Sequence, residues 1–329
     1  MSTFSKGRAR EPIAEPAPLL VEALERVEMR LAELTRSREP LLTDIATYLI
    51  DSGGKRVRPA VTIMIFRACG GRGMDEIVDV ATALELIHSA TLLHDDIIDN
   101  SEIRRGKDSA FRKYGLANTL VTGDFVFSRA FQLCARFEAK LINWAAEACI
   151  SLTEGEIMQG RFRNNPAVTL DDYLEIISRK TASIFQQGAR TAAYLADAPE
   201  TIVEAMAQCG FNVGMTFQLV DDLLDIIGDE RRVGKPIGID LRDGNPSLPV
   251  VLAMQRDPEV ARVFEKSVPT EREIDETLAR IRDSGVLGEV KALASEYGSR
   301  ARQSLMALGP SSDRDQLRAL VDQLTERAA

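Results

Sequence analysis

The chain has 329 residues, of which 45% are hydrophobic and 28% charged, and its formal net charge at pH 7 is −9. This length is sufficient for a large buried core in one or two domains. The acidic balance argues against a general nucleic-acid binder, because such proteins carry a basic patch that contacts the phosphates. Anionic small ligands are not excluded, since local clusters of arginine and lysine decide their binding.

The cysteines and the apolar runs predict a cellular location. Four cysteines are widely spaced and form no CxxC or Cys/His motif, so we expect reduced thiols in the core. No apolar run approaches the roughly 20 residues of a membrane span. The N-terminal sequence also lacks the hydrophobic region of a signal peptide. We therefore expect a cytoplasmic protein without a transmembrane segment.

Apolar residues recur every three or four positions along most of the chain, which predicts a succession of helices. Residues 1–18 precede this pattern, carry three prolines among scattered charges and predict a mobile arm. The predicted helices span residues 19–34, 41–50, 59–70, 75–99, 116–137, 139–162, 170–195, 200–228, 250–254, 271–281, 286–305 and 313–327. Residues 228–249 are rich in glycine, proline and charge, which predicts a loop. No stretch alternates at period two, so we expect a single all-helical domain over residues 19–329, an all-α bundle around a central cavity.

Three aspartates lie at the C-terminal end of the helix predicted over residues 75–99. They are Asp95, Asp96 and Asp99. Residues four apart share a helix face, so Asp95 and Asp99 point the same way, about 6 Å apart along the axis. Nothing adjacent neutralises their repulsion, whereas a hard divalent cation would do so. The alternative is a solvated acidic face, which the apolar residues around these aspartates make less favourable.

The same spacing recurs within the helix predicted over residues 200–228. Its members are Asp221, Asp222 and Asp225, again among leucine, valine and isoleucine. Paired buried acids require a compensating cation. Two acidic walls that face one cavity predict a site for several Mg²⁺ ions, whose remaining coordination positions commonly take phosphate oxygens. The predicted ligand class is a diphosphate.

Basic residues lie close to both aspartate motifs in the sequence. They are Lys55, Arg58, Arg104, Arg105, Lys180 and Lys235. The first two lie in a glycine-flexible loop just before a helix N-terminus, which favours anions. Each alone could be an ordinary surface residue. Together with the aspartates they predict clamps for two separate diphosphates.

His88 lies seven residues before Asp95 and therefore nearly on the same helix face. This alignment favours a ligand-binding role. A structural hydrogen bond stays open as the alternative, because a lone histidine often serves that purpose. His94 lies off this face, and we expect it to be structural.

In this order and spacing the motifs resemble those of the trans-prenyltransferases, or polyprenyl diphosphate synthases, from about residue 20 onward. Within that family the chain is most similar to octaprenyl diphosphate synthases and related long-chain enzymes of quinone side-chain synthesis. The resemblance rests on Gly53-Gly54-Lys55-Arg56-Val57-Arg58-Pro59, Ile87-His88 through Asp95-Asp96-Ile97-Ile98-Asp99, Arg104-Arg105-Gly106-Lys107, Lys180-Thr181, Phe217-Gln218 through Asp225, and Gly234-Lys235.

The resemblance implies an isoprenoid synthase-type helical bundle, commonly a homodimer, that condenses isopentenyl diphosphate with an allylic diphosphate. It implies magnesium as cofactor, three ions per site, held by Asp95, Asp96, Asp99, Asp221, Asp222 and Asp225. The implied catalytic residues are Asp95, Asp99, Lys180 and Asp221. The implied contacts to the allylic diphosphate or its metal shell are Arg104, Lys180, Thr181, Gln218 and Lys235. Those to isopentenyl diphosphate are Lys55, Arg58, His88 and Arg105.

Product length is implied to depend on the cavity floor below the first motif, where short-chain members often carry aromatic residues. Ala90 and Thr91 stand there and are small, which suggests a medium or long product made from farnesyl or geranylgeranyl diphosphate. The alternative boundary is a group of phenylalanines that is also typical of a plain core, namely Phe125, Phe127, Phe131 and Phe137.

The chain departs from the family's pattern at Asn245, where related chains usually carry lysine, and at Ser247, where threonine is common. Asn245 removes a positive charge near the diphosphate shell. Three alternative functions remain: a short-chain synthase, a terpene cyclase of the same fold, and a non-catalytic partner subunit. Cyclases usually replace the second aspartate motif, and silent subunits tend to lose aspartates, whereas this chain keeps all six.

Overall fold

The computed structural model describes residues 18–228 and 237–326. The predicted mobile arm, apart from Pro18, and the predicted ligand Lys235 lie outside the described residues. The helices are α1 Pro18–Leu34, α2 Pro40–Asp51, α3 Val57–Ala68, α4 Asp75–Ile98, α5 Ala110–Tyr114, α6 Leu116–Cys134, α7 Ala139–Arg161, α8 Leu170–Ile177, α9 Ser183–Leu195, α10 Glu200–Ile227, α11 Ile239–Asp243, α12 Leu248–Met254, α13 Pro258–Phe264, α14 Glu271–Asp283, α15 Val286–Leu305 and α16 Ser312–Glu326. The predicted all-α class is confirmed.

The local differences from the predicted elements are small and have physical causes. Strands β1 Ile103–Arg104 and β2 Lys107–Asp108 pair antiparallel, and two residues are too few to show a period of two. The helices α11 and α13 are one to two turns long and likewise carry too little periodicity to be predicted. The predicted continuous helix over 170–195 is interrupted by a π-helical turn at Ser178–Ala182.

The centre of the bundle is α4, because its sequence is apolar on nearly every side. Ile77, Leu86 and Leu93 are fully buried, and the helix packs against α1, α3, α6 and α9. By length and composition alone α4 is the one helix of the described residues that could span a membrane, contrary to the sequence-based expectation. Since 78% of its most apolar window is buried inside the protein, α4 has the character of a core helix.

Two hydrophobic clusters form the core, and α10 takes part in both. Its N-terminal half contributes Met206 and Val213 to the cluster built around α4. Its C-terminal half contributes Leu219 and Leu223 to a second cluster with α12, α14 and α15. The end of α10 that carries the second aspartate motif is thereby fixed by apolar packing. The prediction of a single domain over residues 19–329 stays a prediction.

Candidate active site

The first aspartate motif ends α4, and its outward-facing carboxylates are held by cations from other helices. Asp95 Oδ2 lies 4.0 Å from Lys180 Nζ, and Asp99 Oδ1 accepts a hydrogen bond from Arg163. Burial raises the pKa of Asp95 to about 6, although Lys180 opposes the shift. A metal ion bound here would compete with Lys180 for Asp95 and with Arg163 for Asp99.

Asp96 is turned away from Asp95 and Asp99. Its side chain is fully buried, and one of its oxygens accepts a hydrogen bond from Arg104 Nε. Burial raises the pKa of Asp96, and the charge of Arg104 lowers it. Because Arg104 lies on β1, this ion pair ties the β-hairpin to the end of α4. The predicted roles of Asp96 on magnesium and of Arg104 on the allylic diphosphate stay predictions.

Lys180 reaches the first motif from the π-helical turn. Such turns are common at functional sites because they displace one side chain from the regular helical pattern. Lys180 Nζ also forms an ion pair with Glu156 on α7. Burial lowers the pKa of Lys180, but Asp95 and Glu156 outweigh it and the net shift is upward. A Cβ atom at Gly155 would lie 2.6 Å from the Lys180 backbone nitrogen, so glycine allows this close approach.

In the second motif, Asp222 is buried and held by neutral donors. Its Oδ2 accepts hydrogen bonds from Tyr173 Oη at 2.5 Å and from the Leu248 backbone N–H at 2.8 Å. Its Oδ1 accepts one from Gln218 Nε2 at 2.9 Å, and Thr181 Oγ1 donates to Gln218 Oε1 at 3.0 Å. Burial raises the pKa of Asp222 to about 7 despite these bonds. The network fixes Gln218 and Thr181, both predicted ligands, in one orientation.

The other two aspartates of the second motif lie nearer to solvent. Asp221 is exposed. The Asp225 carboxylate accepts backbone hydrogen bonds from Ile239 at 3.1 Å and Asp240 at 3.2 Å, at the beginning of α11. Backbone donors orient a carboxylate without cancelling its charge. These two bonds orient Asp225 toward the beginning of α11.

Both motifs act on one further carboxylate, Asp243, at the end of α11. Burial raises the pKa of Asp243 to about 6, Asp99 and Asp225 raise it further, and Arg163 lowers it. Arg163 also donates hydrogen bonds to Asn245 Oδ1 at 3.2 and 3.3 Å. The Asn245 N–H donates to the Asp240 carbonyl oxygen at 2.8 Å, and the Asp240 N–H donates to Asp225. Hydrogen bonds through Arg163, Asn245 and Asp240 therefore connect Asp99 of the first motif to Asp225 of the second.

The second predicted clamp contains a half-buried arginine, Arg58. Its guanidinium stacks on the rings of Phe185 and Phe217, at 5.2 and 5.7 Å from their centroids. Burial lowers the pKa of Arg58, and the charges of Glu85 and Asp221 oppose the shift. The influence of Asp221 places this cation close to the second aspartate motif. Its Nε has no hydrogen-bond partner among the described residues, which leaves a donor available for an anion.

His88 lies among the arginines of this clamp. Burial and the nearby charges of Arg58 and Arg105 lower the pKa of His88 well below its ordinary value, so the imidazole is neutral at pH 7. Arg105 Nη1 is 3.4 Å from Ser52 Oγ, and the backbone of Arg105 has a positive φ of 52°. Arg58, His88 and Arg105 thus lie within electrostatic reach of one another, and their predicted role in binding isopentenyl diphosphate stays a prediction.

The loop before α3 is held by Arg56, which the sequence analysis did not single out. Arg56 pairs with Glu28 at 2.6 Å and with Glu85 at 2.8 Å. A Cβ atom at Gly54 would lie 2.7 Å from Arg56 Nη1, so a glycine lets the loop close over the guanidinium. Lys55 is exposed on the same loop. Arg56 is thus structural, whereas its neighbour Lys55 faces solvent.

The acidic residues fit magnesium in their chemistry. Carboxylate oxygens are the ligands that hard divalent cations take, and Asp95, Asp99, Asp221 and Asp225 supply them around one space. Among the described residues, no three histidine, cysteine or acidic side chains are already arranged as a ligand set. The present partners, Lys180 and Arg163 above all, occupy positions that a divalent cation would take over.

A small apolar cavity with a volume of about 30 Å³ opens along α4. It is lined by Val80, Ala83, Leu84, Ile87, Cys134, Phe137, Leu141, Ala145, Gln187 and Thr191. Val80 lies fifteen residues before Asp95, which corresponds to about 22 Å along the helix. The cavity therefore extends well below the first motif.

The predicted floor residues do not line this cavity. Thr91 is one turn from both Asp95 and Ile87, so it lies on the cavity side of α4. Ala90 is fully buried and packs in the core. Of the predicted phenylalanines, Phe137 lines the cavity. The role of Ala90, Thr91 and Phe137 in product length stays a prediction.

Several residues of this site were missed because their signal lies in three dimensions. Arg163, Tyr173 and Asp243 stand in no recognisable motif, and each contacts or acts on an aspartate that does. Glu156 follows Gly155 on α7, an acid beside a glycine inside a helix, which is a weak signal. An acidic residue facing Lys180 was nevertheless to be expected, since a buried lysine requires a partner.

Comparison with known proteins agrees with this geometry. A family model described as polyprenyl synthetase matches residues 39–283. The octaprenyl diphosphate synthase of Haemophilus influenzae is 34% identical over 302 residues, which cover 90% of this chain and 92% of the relative. The geranylgeranyl diphosphate synthase of Methanosarcina mazei is 32% identical over 303 residues, with coverage of 90% and 92%.

Among solved structures, a polyprenyl synthase from Caulobacter crescentus is 32% identical to this chain and has a TM-score of 0.91. The match covers 98% of this chain and 100% of that protein, which was crystallised with calcium and isoprenyl diphosphate. The chain therefore belongs to the polyprenyl synthetase family and is a prenyltransferase.

Proposed function

We propose that this prenyltransferase elongates an allylic diphosphate, farnesyl or geranylgeranyl diphosphate, with isopentenyl diphosphate in a magnesium-dependent reaction. The product would be a medium- or long-chain all-trans polyprenyl diphosphate for quinone side chains. The observation that carries the proposal is the hydrogen-bonded connection between the two motifs. Arg163 donates to both Asp99 and Asn245. Asp240 accepts from the Asn245 N–H and donates its own N–H to Asp225. A cluster of cations lies beside the motifs, and an apolar cavity extends below the first of them.

The allylic diphosphate would lie between the two motifs. Bound magnesium would neutralise the charge that develops on the departing diphosphate. Lys180 adds a cation at this position, and its pKa is raised, so it stays charged. The Thr181–Gln218 pair presents neutral polar groups beside it. Lys235 is proposed as a further contact, from the resemblance alone.

Isopentenyl diphosphate would bind at Arg58, His88 and Arg105, with Lys55 at the rim. Arginine forks match phosphate oxygens in two-point hydrogen bonds. The neutral imidazole of His88 can donate one hydrogen bond to a phosphate oxygen and accept one from a neighbour. Because this cluster and the aspartates lie side by side, the two substrates would be held in contact, and positioning would supply much of the rate.

Apolar side chains would protect the reacting carbons from water. Phe185 and Phe217 cover Arg58, and the cavity along α4 is lined almost wholly by apolar groups. A carbocation that forms at the allylic carbon would meet few water molecules there. The growing tail would enter the cavity below Asp95.

The proposal of a medium or long product is supported by the small side chains of Ala90 and Thr91 before Asp95 and by the apolar lining along α4. A short-chain product is the second candidate, supported by the likeness to a geranylgeranyl diphosphate synthase. The homodimer implied by the resemblance is also proposed. Its support is the apolar surface of α6, where Leu116, Leu120 and Val121 are 54%, 43% and 55% exposed. The cytoplasmic location stays a prediction.

An elongation assay tests this function. Purified protein is incubated with Mg²⁺, labelled isopentenyl diphosphate and geranyl, farnesyl or geranylgeranyl diphosphate, and the products are measured by mass spectrometry. Elongation that stops at a chain longer than twenty carbons supports the proposal, and a product of fifteen or twenty carbons supports the short-chain alternative. Hydrocarbon release without isopentenyl diphosphate would indicate a cyclase, and no reaction with any primer would indicate a silent subunit.

A further inference from the structure

Arg163 joins two parts of the candidate active site. It lies just beyond the end of α7, and its Nη1 donates a hydrogen bond to the Ile98 carbonyl oxygen at 3.0 Å. Its Nη2 donates to Asp99 Oδ1. Its Nε and Nη2 donate to Asn245 Oδ1 at 3.3 and 3.2 Å. One guanidinium therefore connects the end of the first aspartate motif to the loop that follows the second.

The position of this guanidinium is fixed by the residue that follows it. The Asn164 backbone has a positive φ of 55°, and its N–H donates to the Gly244 carbonyl oxygen at 2.9 Å. Asn164 Nδ2 donates to the carbonyl oxygens of Phe264 and Lys266 at 3.0 and 2.9 Å. Gly244 has φ of 66°, and a Cβ there would lie 2.1 Å from Asn164 Nδ2. A side chain anchored in this way loses little freedom when it binds a ligand.

The described partners of Arg163 are all hydrogen-bond acceptors. Asp99 accepts its hydrogen bond, and the charge of the guanidinium opposes the rise that burial and Asp99 cause in the pKa of Asp243. Asn245 supplies a neutral oxygen between them and is itself buried. The side chain of Arg163 is 26% exposed, so it is reachable from the space between the motifs.

The two other cations near the first motif are differently engaged. Arg104 pairs with the buried Asp96, which faces away from the space between the motifs. Lys180 is shared between Asp95 and Glu156. Arg163 pairs with Asp99, a carboxylate that a metal ion would take, and unlike Lys180 it has no second carboxylate partner among the described ion pairs. Magnesium bound at Asp99 would release Nη2 of Arg163 toward whatever anion the metal carries.

We propose that Arg163 is a diphosphate-binding residue of this enzyme. In the absence of metal it holds Asp99, and once magnesium takes Asp99 its guanidinium binds diphosphate oxygens. Asn245 completes the arrangement, because its amide oxygen accepts from the guanidinium whereas a lysine at this position would repel it. The contact therefore pairs one cation, Arg163, with a neutral acceptor, Asn245. This inference rests on the proposed function.

The test uses inorganic pyrophosphate, titrated calorimetrically in the presence of Mg²⁺ into the wild type, Arg163→Gln, Asn245→Lys and the double variant. Arg163→Gln should weaken pyrophosphate binding about ten- to hundredfold, the range for a hydrogen bond to a charged group. It should raise KM for the allylic substrate and leave KM for isopentenyl diphosphate unchanged. Asn245→Lys alone should also weaken binding, and the double variant should regain part of the loss, since its lysine meets no guanidinium.

A second readout separates ligand binding from structural support. The rise in Tm that Mg²⁺ alone produces should be at least as large in Arg163→Gln as in the wild type, because Asp99 is then free. A matched control is Arg302→Gln, whose guanidinium pairs with Asp322 at 2.9 Å and is 30% exposed, and it should change none of these values.

Wild-type pyrophosphate affinity in Arg163→Gln would overturn the assignment. Loss of the magnesium effect together with pyrophosphate binding would also overturn it, because that pattern indicates a merely structural arginine. Wild-type protein that binds magnesium pyrophosphate but elongates no primer would contradict the proposed function instead. The pyrophosphate affinities of the wild type and Arg163→Gln could still be compared in that case, since the titration needs no turnover.

Discussion

The two aspartate motifs have the same spacing, yet their surroundings differ. In the first motif the carboxylates are held by side-chain cations, namely Lys180 for Asp95 and Arg163 for Asp99. In the second motif Asp222 is held by hydroxyl, amide and backbone donors. A metal ion must therefore compete with protein cations for Asp95 and Asp99, whereas the second motif offers the exposed Asp221 beside a buried carboxyl whose pKa is raised to about 7.

The motifs also differ in what lies beneath them. The apolar cavity is lined by residues of α4, below the first motif, and by none of α10. The far end of α10 is fixed instead by the second hydrophobic cluster. We infer that the first motif combines metal binding with contact to the growing tail, whereas the second is concerned with metal binding alone.

The largest expected effect is on catalysis at either motif. Asp95→Asn and Asp221→Asn should each lower kcat for elongation by about a thousandfold, since each removes charge that holds a metal at the leaving group. Steady-state kinetics at saturating Mg²⁺ would measure this. Asp124→Asn is a matched control on the exposed surface of α6 and should leave kcat unchanged. A loss of kcat in only one of the two variants would show that the motifs do not contribute equally to catalysis.

The next largest effect is on the free energy of unfolding, when a neutral hydrogen-bond donor to the second motif is removed. Tyr173→Phe removes a hydrogen bond to buried Asp222 and should lower the free energy of unfolding by about 2 kcal/mol. Tyr48→Phe is the control, because its hydroxyl donates to the exposed carbonyl of Asp108 at 2.8 Å, and it should cost less than 1 kcal/mol. Urea unfolding would compare them. Equal losses would contradict the assigned role of Tyr173.

Much of this architecture could be predicted from the sequence, because helices and motifs depend on local spacing. The apolar period of α4 and the i, i+4 aspartates are visible in the sequence itself. The partners of those aspartates were not predictable, since Arg163, Tyr173 and Asp243 become neighbours only when distant helices pack. Ala90 shows the same limit, because the sequence gives its distance from Asp95 but not that its side chain is fully buried in the core.

Lowering the pH should weaken magnesium binding, because an aspartate in each motif has a raised pKa. Burial raises the pKa of Asp95 to about 6 and that of Asp222 to about 7, and a protonated carboxyl is a poor magnesium ligand. The rise in Tm produced by Mg²⁺ should therefore increase from pH 5.5 to 7.5. A rise in Tm that is the same at both pH values would contradict this.

In the metal-free protein, the same raised pKa values make the folded state less stable as the pH rises. A group whose pKa is raised in the folded state above its ordinary 3.8 favours folding while it is protonated. The stabilisation is complete below about pH 4 and is lost as the pH rises through about 7. The stability of the wild type relative to Asp222→Asn should therefore fall across this range, as measured by urea unfolding without metal.

The smallest expected effect is on product length, below the first motif. Thr91→Phe should shorten the product by one or more isoprene units, because its ring would enter the cavity above Ile87. Ala90→Phe should chiefly lower the free energy of unfolding, by about 1–3 kcal/mol, since it overpacks the core. Mass spectrometry of the products and thermal unfolding would separate the two. Unchanged length in a folded Thr91→Phe variant would refute the position of the tail.

The central claim is that the two motifs form one catalytic site, and a double-mutant cycle on kcat tests it most directly. Asp95→Asn, Asp221→Asn and the double variant are compared under the same elongation conditions. Residues that act as a unit are strongly non-additive, so the double variant should lose little more activity than the worse single variant. Losses that multiply in full would contradict the claim and indicate two independent sites.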